Sequence, residues 1–403
     1  MEEWKEYRLG DFMEFNPKIS LPKNTIARKI TMDQLVPHSR DIFSWTYEPY
    51  NGGTKFQNGD TIMARITPCL ENGKHAYVTI LNDDEIAYGS TEYIVIRGKK
   101  GISDNTFVYY LTHFPPFKNA AIKSMVGTSG RQRAQVDVLE NLIMSLPPLS
   151  TQLKIADILS KLDDKIENNR KINENLEQQA QALFKSWFVD FEPFRDQSFV
   201  ESELGMIPEG WRVEKAEDIF DINIGKTPPR KETKWFSNSK DDNIWVSIAD
   251  MGTCGMFISE SSEYLTDEAI NRFNILMVEE DSVLLSFKLT VGRVVIAASK
   301  LTTNEAIARF LLHDKSYREF LYLYLKQYEY SNLGSTSSIA TAVNSKTIKS
   351  MKLLNPTSDV IHGFSEITKP IFEQIRLLLA ESRRLSLLRD TLLPKLMSGE
   401  ITL

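Results

Sequence analysis

The sequence predicts an α+β protein built from two similar mixed α/β domains and two long antiparallel helices. Three observations lead to this prediction. The chain repeats itself at an offset of roughly 207 to 221 positions. Short β-branched or aromatic segments bounded by Gly, Asn or Asp recur in each half. Each half closes with apolar residues at heptad spacing. A period this long indicates a duplicated domain rather than a solenoid repeat.

The repeat consists of matched segments that occur in the same order in both halves. Residues 4–12 match 211–220, residues 59–63 match 280–284, residues 127–129 match 334–336, and residues 183–187 match 392–396. Changes in offset between these matches are expected where loops differ in length. We therefore expect two similar domains at 1–150 and 205–356, a central helix and linker at 151–204, and a C-terminal helix at 357–403.

Each domain should contain strands followed by a packed helix. Residues 76–80, 92–96 and 293–297 are predicted strands, and residues 107–111 and 320–325 are predicted helices. Pro147-Pro148 and Asn355-Pro356 mark the end of each domain, just before its long helix.

The heptads predict that the two long helices pack against each other. The first helix carries Ile155, Leu162, Asn169, Leu176 and Leu183, with Ile158 and Ile172 beside them. The second carries Phe364, Ile371, Leu378, Leu385 and Leu392, with Ile367 and Leu388 beside them. A single asparagine in such a seam commonly fixes the register. Pro370 should open the second helix or kink it. The helices should run antiparallel, because the first leads from domain one into domain two and the second has no other apolar surface to bury its stripe.

Composition excludes several classes of protein. No apolar run approaches the roughly 18 residues of a membrane span, and the first residues lack a signal peptide, so a cytoplasmic location without membrane contact is expected. The two cysteines, Cys69 and Cys254, fall one in each half and predict neither a disulfide framework nor a zinc site. The five histidines are not paired at metal-ligand spacing.

The net charge of −6 conceals basic clusters. Residues 93–135 contain seven Lys or Arg against one acid, and residues 226–240 contain five against one. Residues 343–352 add three lysines without an acid. Such local excess can create a positive face on an otherwise acidic protein, which is typical of nucleic-acid binding.

Several motifs resemble the specificity subunits of type I restriction-modification systems. Residues 55–74, including Asn58-Gly59-Asp60-Thr61 and Cys69-Leu70-Glu71-Asn72-Gly73, resemble one class of target recognition domain. Residues 224–228, 244–248, 264–269 and 290–294 are similar to another class. The helix ends at 183–188 and 392–399 also match. Ser286-Phe287-Lys288 departs from the family, which often has arginine or threonine there, so the base-reading chemistry of the second domain is not carried over.

The resemblance implies a non-catalytic DNA-binding subunit. Each domain would read one half of a bipartite, asymmetric double-stranded DNA target, and the helices would set the unread spacer. The helices would also dock two modification subunits, which carry an S-adenosylmethionine-dependent adenine-N6 methyltransferase, and restriction subunits would join through them. S-adenosylmethionine, ATP and Mg²⁺ would then belong to those partner subunits, and this chain would bind no cofactor or metal.

Phosphate contacts need Lys and Arg, and base edges need Arg, Lys, Asn, Gln, Ser or Thr on exposed loops. The candidates that meet these requirements are Arg65, Lys74, Arg131, Gln132 and Arg133 in domain one, and Lys226, Arg230, Lys231, Lys288, Arg293, Ser335 and Thr336 in domain two.

Two other interpretations remain open from the residues alone. A scaffold could join two protein partners through the helices without touching DNA, and its binding would be insensitive to salt. An enzyme could use Cys69 with His75, although Cys254 has no matching histidine.

Overall fold

The computed structural model of the chain describes residues 4–333 and 343–403. The chain forms two compact units. Unit 1 comprises Met1–Asn168 with Ser382–Leu403, and unit 2 comprises Asn169–Glu381. Each of the two long helices therefore contributes one half to each unit.

Unit 1 combines short strands with short helices. Its strands are β1 Lys5–Arg8, β2 Met13–Phe15, β3 Ile26–Ile30, β4 Thr46–Pro49, β5 Thr54–Phe56, β6 Thr61–Ala64, β7 His75–Tyr77, β8 Ala87–Gly89, β9 Tyr93–Gly98 and β10 Ile143–Leu146. Its helices are α1 Leu9–Phe12, α2 Asn105–His113, α3 Pro115–Lys123 and α4 Val136–Glu140, and the long helix α5, Leu149–Phe188, begins here.

Two sheets form the body of unit 1. The central sheet has the order β2-β9-β6-β7, and the second has the order β4-β3-β8-β5. Strand β6 is buried at every position, and α2 packs six consecutive buried residues beside this sheet. The α2 helix begins where the side chain of Asp104 accepts a hydrogen bond from the Phe107 amide, which caps its first turn. The predicted strand at 92–96 and helix at 107–111 are confirmed, whereas the strand predicted over 76–80 ends at Tyr77.

Unit 2 repeats this plan with longer loops. Its strands are β11 Phe199–Ser202, β12 Gly205–Pro208, β13 Arg212–Lys215, β14 Asp221–Ile224, β15 Phe236–Ser237, β16 Asn243–Val246, β17 Phe257–Ile258, β18 Tyr264–Leu265, β19 Val283–Ser286, β20 Val294–Ala297, β21 Thr302–Thr303, β22 Ile307–Leu311 and β23 Lys352–Asn355. Its helices are α6 Ala216–Ile219, α7 Ile248–Met251, α8 Asp267–Arg272, α9 Tyr317–Gln327 and α10 Ser345–Lys349, and the second long helix, α11, is Ser358–Met397.

The duplication predicted from sequence is confirmed by the strand order. The central sheet of unit 2 has the order β14-β22-β19-β20-β17, so β14, β22, β19 and β20 correspond to β2, β9, β6 and β7. The second sheet, β15-β18-β16-β21, contains a parallel pair, as does the second sheet of unit 1. The α+β class with an internal repeat therefore holds for both units.

The long helices contribute to the core of each unit. In unit 1, Ile155 and Leu159 of α5 belong to the same buried cluster as Leu393 and Leu396 of α11. In unit 2, Phe184 of α5 contacts Phe364 of α11, with 6.3 Å between ring centroids. The side chain of Asn169 donates to Glu381 at 2.8 Å. Since 184 lies against 364 and 169 against 381, the helices run antiparallel, as predicted.

The heptad positions that begin at Ile155 and at Phe364 are called the main seam, and the apolar residues predicted three positions later are called the companion seam. The predicted companion seam is wrong in both helices. Ile172, Ile367 and Leu388 are exposed, and Ile158 is only half-buried. The buried companions lie four residues after the main seam instead of three. They include Leu159 and Ala180 on α5, and Thr368, Ile375 and Leu396 on α11. In a heptad seam the buried residues alternate at intervals of three and four. The main seam therefore occupies the d positions rather than the a positions, and the a positions follow it by four residues.

Pro370 does not open the second helix. Helix α11 begins at Ser358 and runs through Pro370, whose ring is exposed. Solvent can satisfy the carbonyl that loses its helical partner at such a site. Each long helix has 40 residues, a length of about 60 Å at 1.5 Å per residue. Within the described ranges, no helix is long and apolar enough to cross a membrane.

Candidate nucleic-acid interface

In unit 1 the predicted DNA-contacting residues lie at one end of the central sheet. Strand β6 ends at Ala64, which is paired with Tyr93 at the start of β9, and β7 begins at His75. The loop of residues 65–74 connects these neighbouring strands at that end. It carries two of the predicted residues, Arg65 and Lys74.

A second loop, residues 126–134, lies directly against the first. The amide of Thr67 donates to the carbonyl of Gln132 at 3.0 Å, and the amide of Ala134 donates to the carbonyl of Arg65 at 2.8 Å. Residues 65–74 and 126–134 together are called the unit 1 loop pair. It brings together Arg65, Lys74, Arg131, Gln132 and Arg133.

Three of these five side chains have partners inside the unit. Arg133 forms a bidentate ion pair with Glu92, with nitrogen–oxygen distances from 2.6 to 3.0 Å. The hydrogen bonds from Arg133 lower the pKa of the Glu92 carboxyl. Arg65 and Lys74 donate to backbone carbonyls at 3.0 and 2.7 Å. These three side chains therefore hold the loop pair in place.

Arg131 and Gln132 differ from the other three residues. Arg131 is exposed and Gln132 is half-buried. Among residues 4–333 and 343–403, the structure gives neither side chain a hydrogen-bond or ion-pair partner. A guanidinium and an amide on a loop braced by its neighbours are suited to reach phosphate oxygens or base edges.

In unit 2 the corresponding loops lie at the corresponding end of the sheet. Strand β14 ends at Ile224, paired with Ala308, and β19 ends at Ser286, paired with Ile307. The loop that begins at Gly225 and the connection between β19 and β20 both leave the sheet there. The connection, residues 287–292, is called the unit 2 turn. It carries Lys288, and Arg293 follows it.

Lys226 and Arg293 also have internal partners. Nζ of Lys226 donates to the carbonyls of residues 273 and 274 at 3.2 and 3.1 Å. Nη1 of Arg293 donates to the carbonyl of Ile248 at 2.6 Å. Both side chains tie one loop of the unit to another, which limits their reach toward a ligand.

Arg230 is held by aromatic and acidic neighbours. Its guanidinium carbon lies 4.4 Å from the Phe236 ring centroid and 4.5 Å from that of Trp245. Its Nη1 pairs with both Glu263 oxygens, at 2.8 and 2.9 Å. Contact with the two rings and a bifurcated hydrogen bond to Glu263 hold the guanidinium, while the Arg230 side chain is still 52% exposed.

Lys231 and Lys288 are exposed, and the described part of unit 2 gives neither ammonium an acidic partner. The Lys288 ammonium lies 5.7 Å from the ring centroid of its neighbour Phe287. Ser335 and Thr336 fall outside the described residues. The structure thus places the described candidates on or next to loops at one end of each central sheet, and their contact with DNA stays a prediction. The sequence prediction missed the roles of Glu92 and Glu263, which neutralise Arg133 and Arg230.

The geometry gives no support to catalysis by Cys69 and His75. His75 is fully buried, its Nδ1 lies 3.2 Å from the Thr112 hydroxyl, and its ring centroid lies 4.7 Å from that of His113. Burial is the main cause that lowers the pKa of His75 to about 3, and burial also holds the pKa of His113 well below its usual value. Across the described ranges, no cluster of three or more His, Cys, Asp or Glu side chains could hold a metal ion.

The two neutral imidazoles predict that unit 1 loses stability in mild acid. Both histidines have a lower pKa folded than unfolded, so below about pH 6.5 the unfolded state binds more protons. For His75 the stability is highest above pH 6.5 and falls as the pH drops toward 3, with a slope of roughly 1.4 kcal/mol per pH unit. The lowered pKa of His113 adds a loss in the same direction. The slope of the unfolding free energy against pH is measured by denaturant unfolding, with amide exchange in β6 and α2 as the signal.

A His75→Asn variant should show a shallower slope, because the amide cannot titrate. His313→Asn is the matched control, since His313 is an exposed histidine in unit 2 that pairs with Asp221. Equal slopes for the wild-type protein and His75→Asn would contradict this account of the histidine pair.

The sequence of the chain is similar to that of known DNA specificity proteins. The family model described as the type I restriction modification DNA specificity domain matches residues 1–178 and 208–376. The HindI specificity subunit of Haemophilus influenzae is 27% identical over 475 aligned positions, which cover 100% of both chains. The MjaIX specificity subunit of Methanocaldococcus jannaschii is 31% identical over 307 positions, covering 73% of this chain and 68% of the relative.

A solved structure shows the same fold. The crystal structure of the type I restriction-modification S subunit from M. genitalium aligns with a TM-score of 0.56 at 14% identity. The alignment covers 98% of this chain and 96% of that one. At this identity the similarity supports the fold and not individual residue roles.

Proposed function

Because the chain belongs to the specificity subunits of type I restriction-modification systems, whose two domains recognise DNA sequence, we propose that each unit reads one half of a bipartite target. The two half-sites would differ in sequence, and an unread spacer would separate them. The long helices α5 and α11 would fix the length of that spacer. The chain would contribute recognition, and partner subunits would contribute catalysis.

One observation carries the proposal. The central sheets of the two units correspond, but the loops at the same end of each sheet carry different side chains. Unit 1 offers Arg131 and Gln132 on the loop pair, whereas unit 2 offers Lys231 and Lys288 on separate loops. Base edges are distinguished by the pattern of donors and acceptors that meets them. Two different sets of side chains are therefore suited to two different half-sites.

The long helices also suit the docking of partner subunits. Leu377, Leu387 and Leu388 of α11 are exposed although they lie on a helix that also packs into both cores. We propose that two modification subunits bind the helices and that restriction subunits join through them. S-adenosylmethionine, ATP and Mg²⁺ would be bound by those subunits, and double-stranded DNA would be the ligand of this chain.

Changing Arg131 to Gln tests the half-site assignment. The variant removes an exposed charge without breaking an internal contact, so folding should be unchanged. We expect the assembled complex to bind the unit 1 half-site about tenfold more weakly. One good side-chain contact to a base or phosphate contributes affinity of about this size. Preference at the other half-site should stay intact. Competition binding with DNA substituted in one half-site at a time measures both effects.

Lys100→Gln is the matched control. Lys100 is also exposed in unit 1, but it lies just beyond Gly98, at the opposite end of β9 from the loop pair. A loss of discrimination spread evenly over both half-sites in Arg131→Gln, or an equal effect in Lys100→Gln, would contradict the assignment of unit 1 to one half-site.

A further inference from the structure

The unit 2 turn holds a leucine entirely in solvent. Leu289 has a relative exposure of 101%, the highest of the exposed large apolar side chains among the described residues. Its backbone has a φ of +60°, a region that residues with a Cβ atom rarely adopt. A side chain that buries no surface cannot offset the free-energy cost of a strained backbone through packing. The position therefore calls for another explanation.

A network of hydrogen bonds fixes this conformation. The amide of Thr290 donates to the carbonyl of Lys288 at 2.7 Å, which closes a three-residue turn around Leu289. The hydroxyl of Ser286 donates to the carbonyl of Thr290 at 2.6 Å and accepts from the amide of Arg293 at 3.0 Å. Ser286 is itself fully buried at the end of β19. The turn is thus braced from the sheet.

A ring packs against the other side of the turn. A Cβ atom on Gly292 would lie 3.0 Å from the Tyr330 ring, so Gly292, at φ +91°, lets the ring approach closely. The Tyr330 hydroxyl donates to the carbonyl of Leu325 at 2.7 Å, which anchors the ring. Ser286 and Tyr330 together hold a rigid turn with Leu289 at its tip.

We propose that Leu289 makes apolar contact with the bases of the half-site that unit 2 reads. The proposal rests on the proposed function and adds a base-contacting residue to it. The unit 2 turn leaves the central sheet at the same end as the loop that begins at Gly225. The exposed ammonium of Lys288 is adjacent to Leu289. A lysine beside a projecting leucine suits a site where phosphate and base surface lie close together.

Two base features offer an apolar surface to such a side chain. In the major groove the methyl group of thymine contacts apolar side chains. In the minor groove leucine can enter between two base pairs and unstack them. Both use the same chemistry, and both benefit from a side chain whose position is fixed before binding, because less freedom is then lost.

The experiment uses the assembled complex and its own target, defined first by sequencing the adenine-methylated sites that depend on this chain. Duplexes then carry, one position at a time in the unit 2 half-site, either 2-aminopurine in place of an adenine or uracil in place of a thymine. With wild-type protein, either one 2-aminopurine brightens on binding, which reports unstacking, or one uracil duplex binds about tenfold more weakly, which reports a methyl contact.

Leu289→Ala should abolish that signal and weaken binding through this half-site about tenfold, whereas Leu289→Met should restore most of both. Leu204→Ala is the matched control, because Leu204 is an exposed leucine beside Gly205 in the β11–β12 connection of the same unit. It should leave binding and both signals unchanged. Leu289 buries no surface, so the alanine variant is expected to fold.

The outcomes distinguish a failure of the proposed function from a failure of the role of Leu289. If no methylated site depends on the chain, the proposed function fails, and this inference fails with it. If a bipartite target exists but Leu289→Ala binds and reports like wild type, only the role of Leu289 is wrong. A loss in Leu289→Ala that Leu289→Met does not reverse would also contradict an apolar contact.

Discussion

Removing one heptad from each long helix is expected to shorten the DNA spacer by about three base pairs. Deleting residues 169–175 together with 378–384 shortens each helix by about 10 Å. At about 3.4 Å per base pair, this distance corresponds to about three pairs. Seven residues make nearly two whole helical turns, so the seam should close again. Both members of the Asn169–Glu381 hydrogen bond leave together, and neither partner is stranded.

The shortened protein should methylate both half-sites at the new spacing with reduced activity. Three base pairs rotate the duplex by nearly a third of its roughly 10.5-pair repeat. One half-site is therefore turned relative to the unit that binds it. Inserting one heptad into each helix is the matched control, and it should lengthen the spacer by about the same amount. An unchanged spacer with normal activity in the deletion variant would show that the helices do not measure distance.

Breaking the buried ion pair between the long helices in unit 1 is expected to have the largest effect on stability. Nη1 of Arg389 lies 2.6 Å from Asp163, whose side chain is 4% exposed. The Tyr110 hydroxyl donates to the other carboxylate oxygen at 2.6 Å. Burial lowers the pKa of Arg389, but the charges of Asp163 and Asp390 outweigh it and raise the pKa above its usual value. The guanidinium therefore stays charged inside the unit.

Asp163→Asn should destabilise unit 1 by about 3 kcal/mol, because it leaves a buried cation without its main counter-charge. Arg389→Met should cost less in the Asp163→Asn background than in the wild-type protein, by about 1 kcal/mol or more. Asp157→Asn is the matched control on the same helix, since the exposed Asp157–Lys161 pair should contribute about 0.5 kcal/mol or less. Urea unfolding of the wild-type protein, the two single variants, the double variant and the Asp157→Asn control gives the values. Strictly additive effects would contradict a coupled pair.

The duplicated plan could be predicted because it depends on local patterns. The matched segments at 4–12 and 211–220 became the same strand and short helix, and both heptads became 40-residue helices. Antiparallel packing followed from connectivity alone. Arg131 could be placed on a loop because Gly127 and Gly130 precede it, and this loop joins α3 to α4, whereas Lys288 lies between the strands β19 and β20.

The companion seam could not be chosen correctly from apolar residues alone. Ile158 and Ile172 are apolar and lie at plausible spacing, whereas the buried asparagine at 169 sits on the main seam itself. The positions four residues after that seam include Leu159 and Ala180, which face the cores of their units as well as the other helix. A helix that serves two surfaces has a wider apolar face than a strict coiled coil.

The internal partners of the basic residues could not be predicted either. The basic run counted from residue 93 begins one position after Glu92, the acid that pairs with Arg133. Glu263 lies 33 residues from Arg230 in sequence, yet the two side chains are in contact. Such contacts depend on how strands pair, and they decide which cations are neutralised inside the unit.

Sequencing N6-methyladenine at base resolution shows whether the two units read a bipartite DNA target. DNA would be compared from cells that express the modification subunits of the same system with and without this chain. We expect one set of methylated sites that requires the chain, with two different short specified segments separated by a spacer of constant length. An absence of chain-dependent methylation, or a single uninterrupted motif, would contradict this expectation.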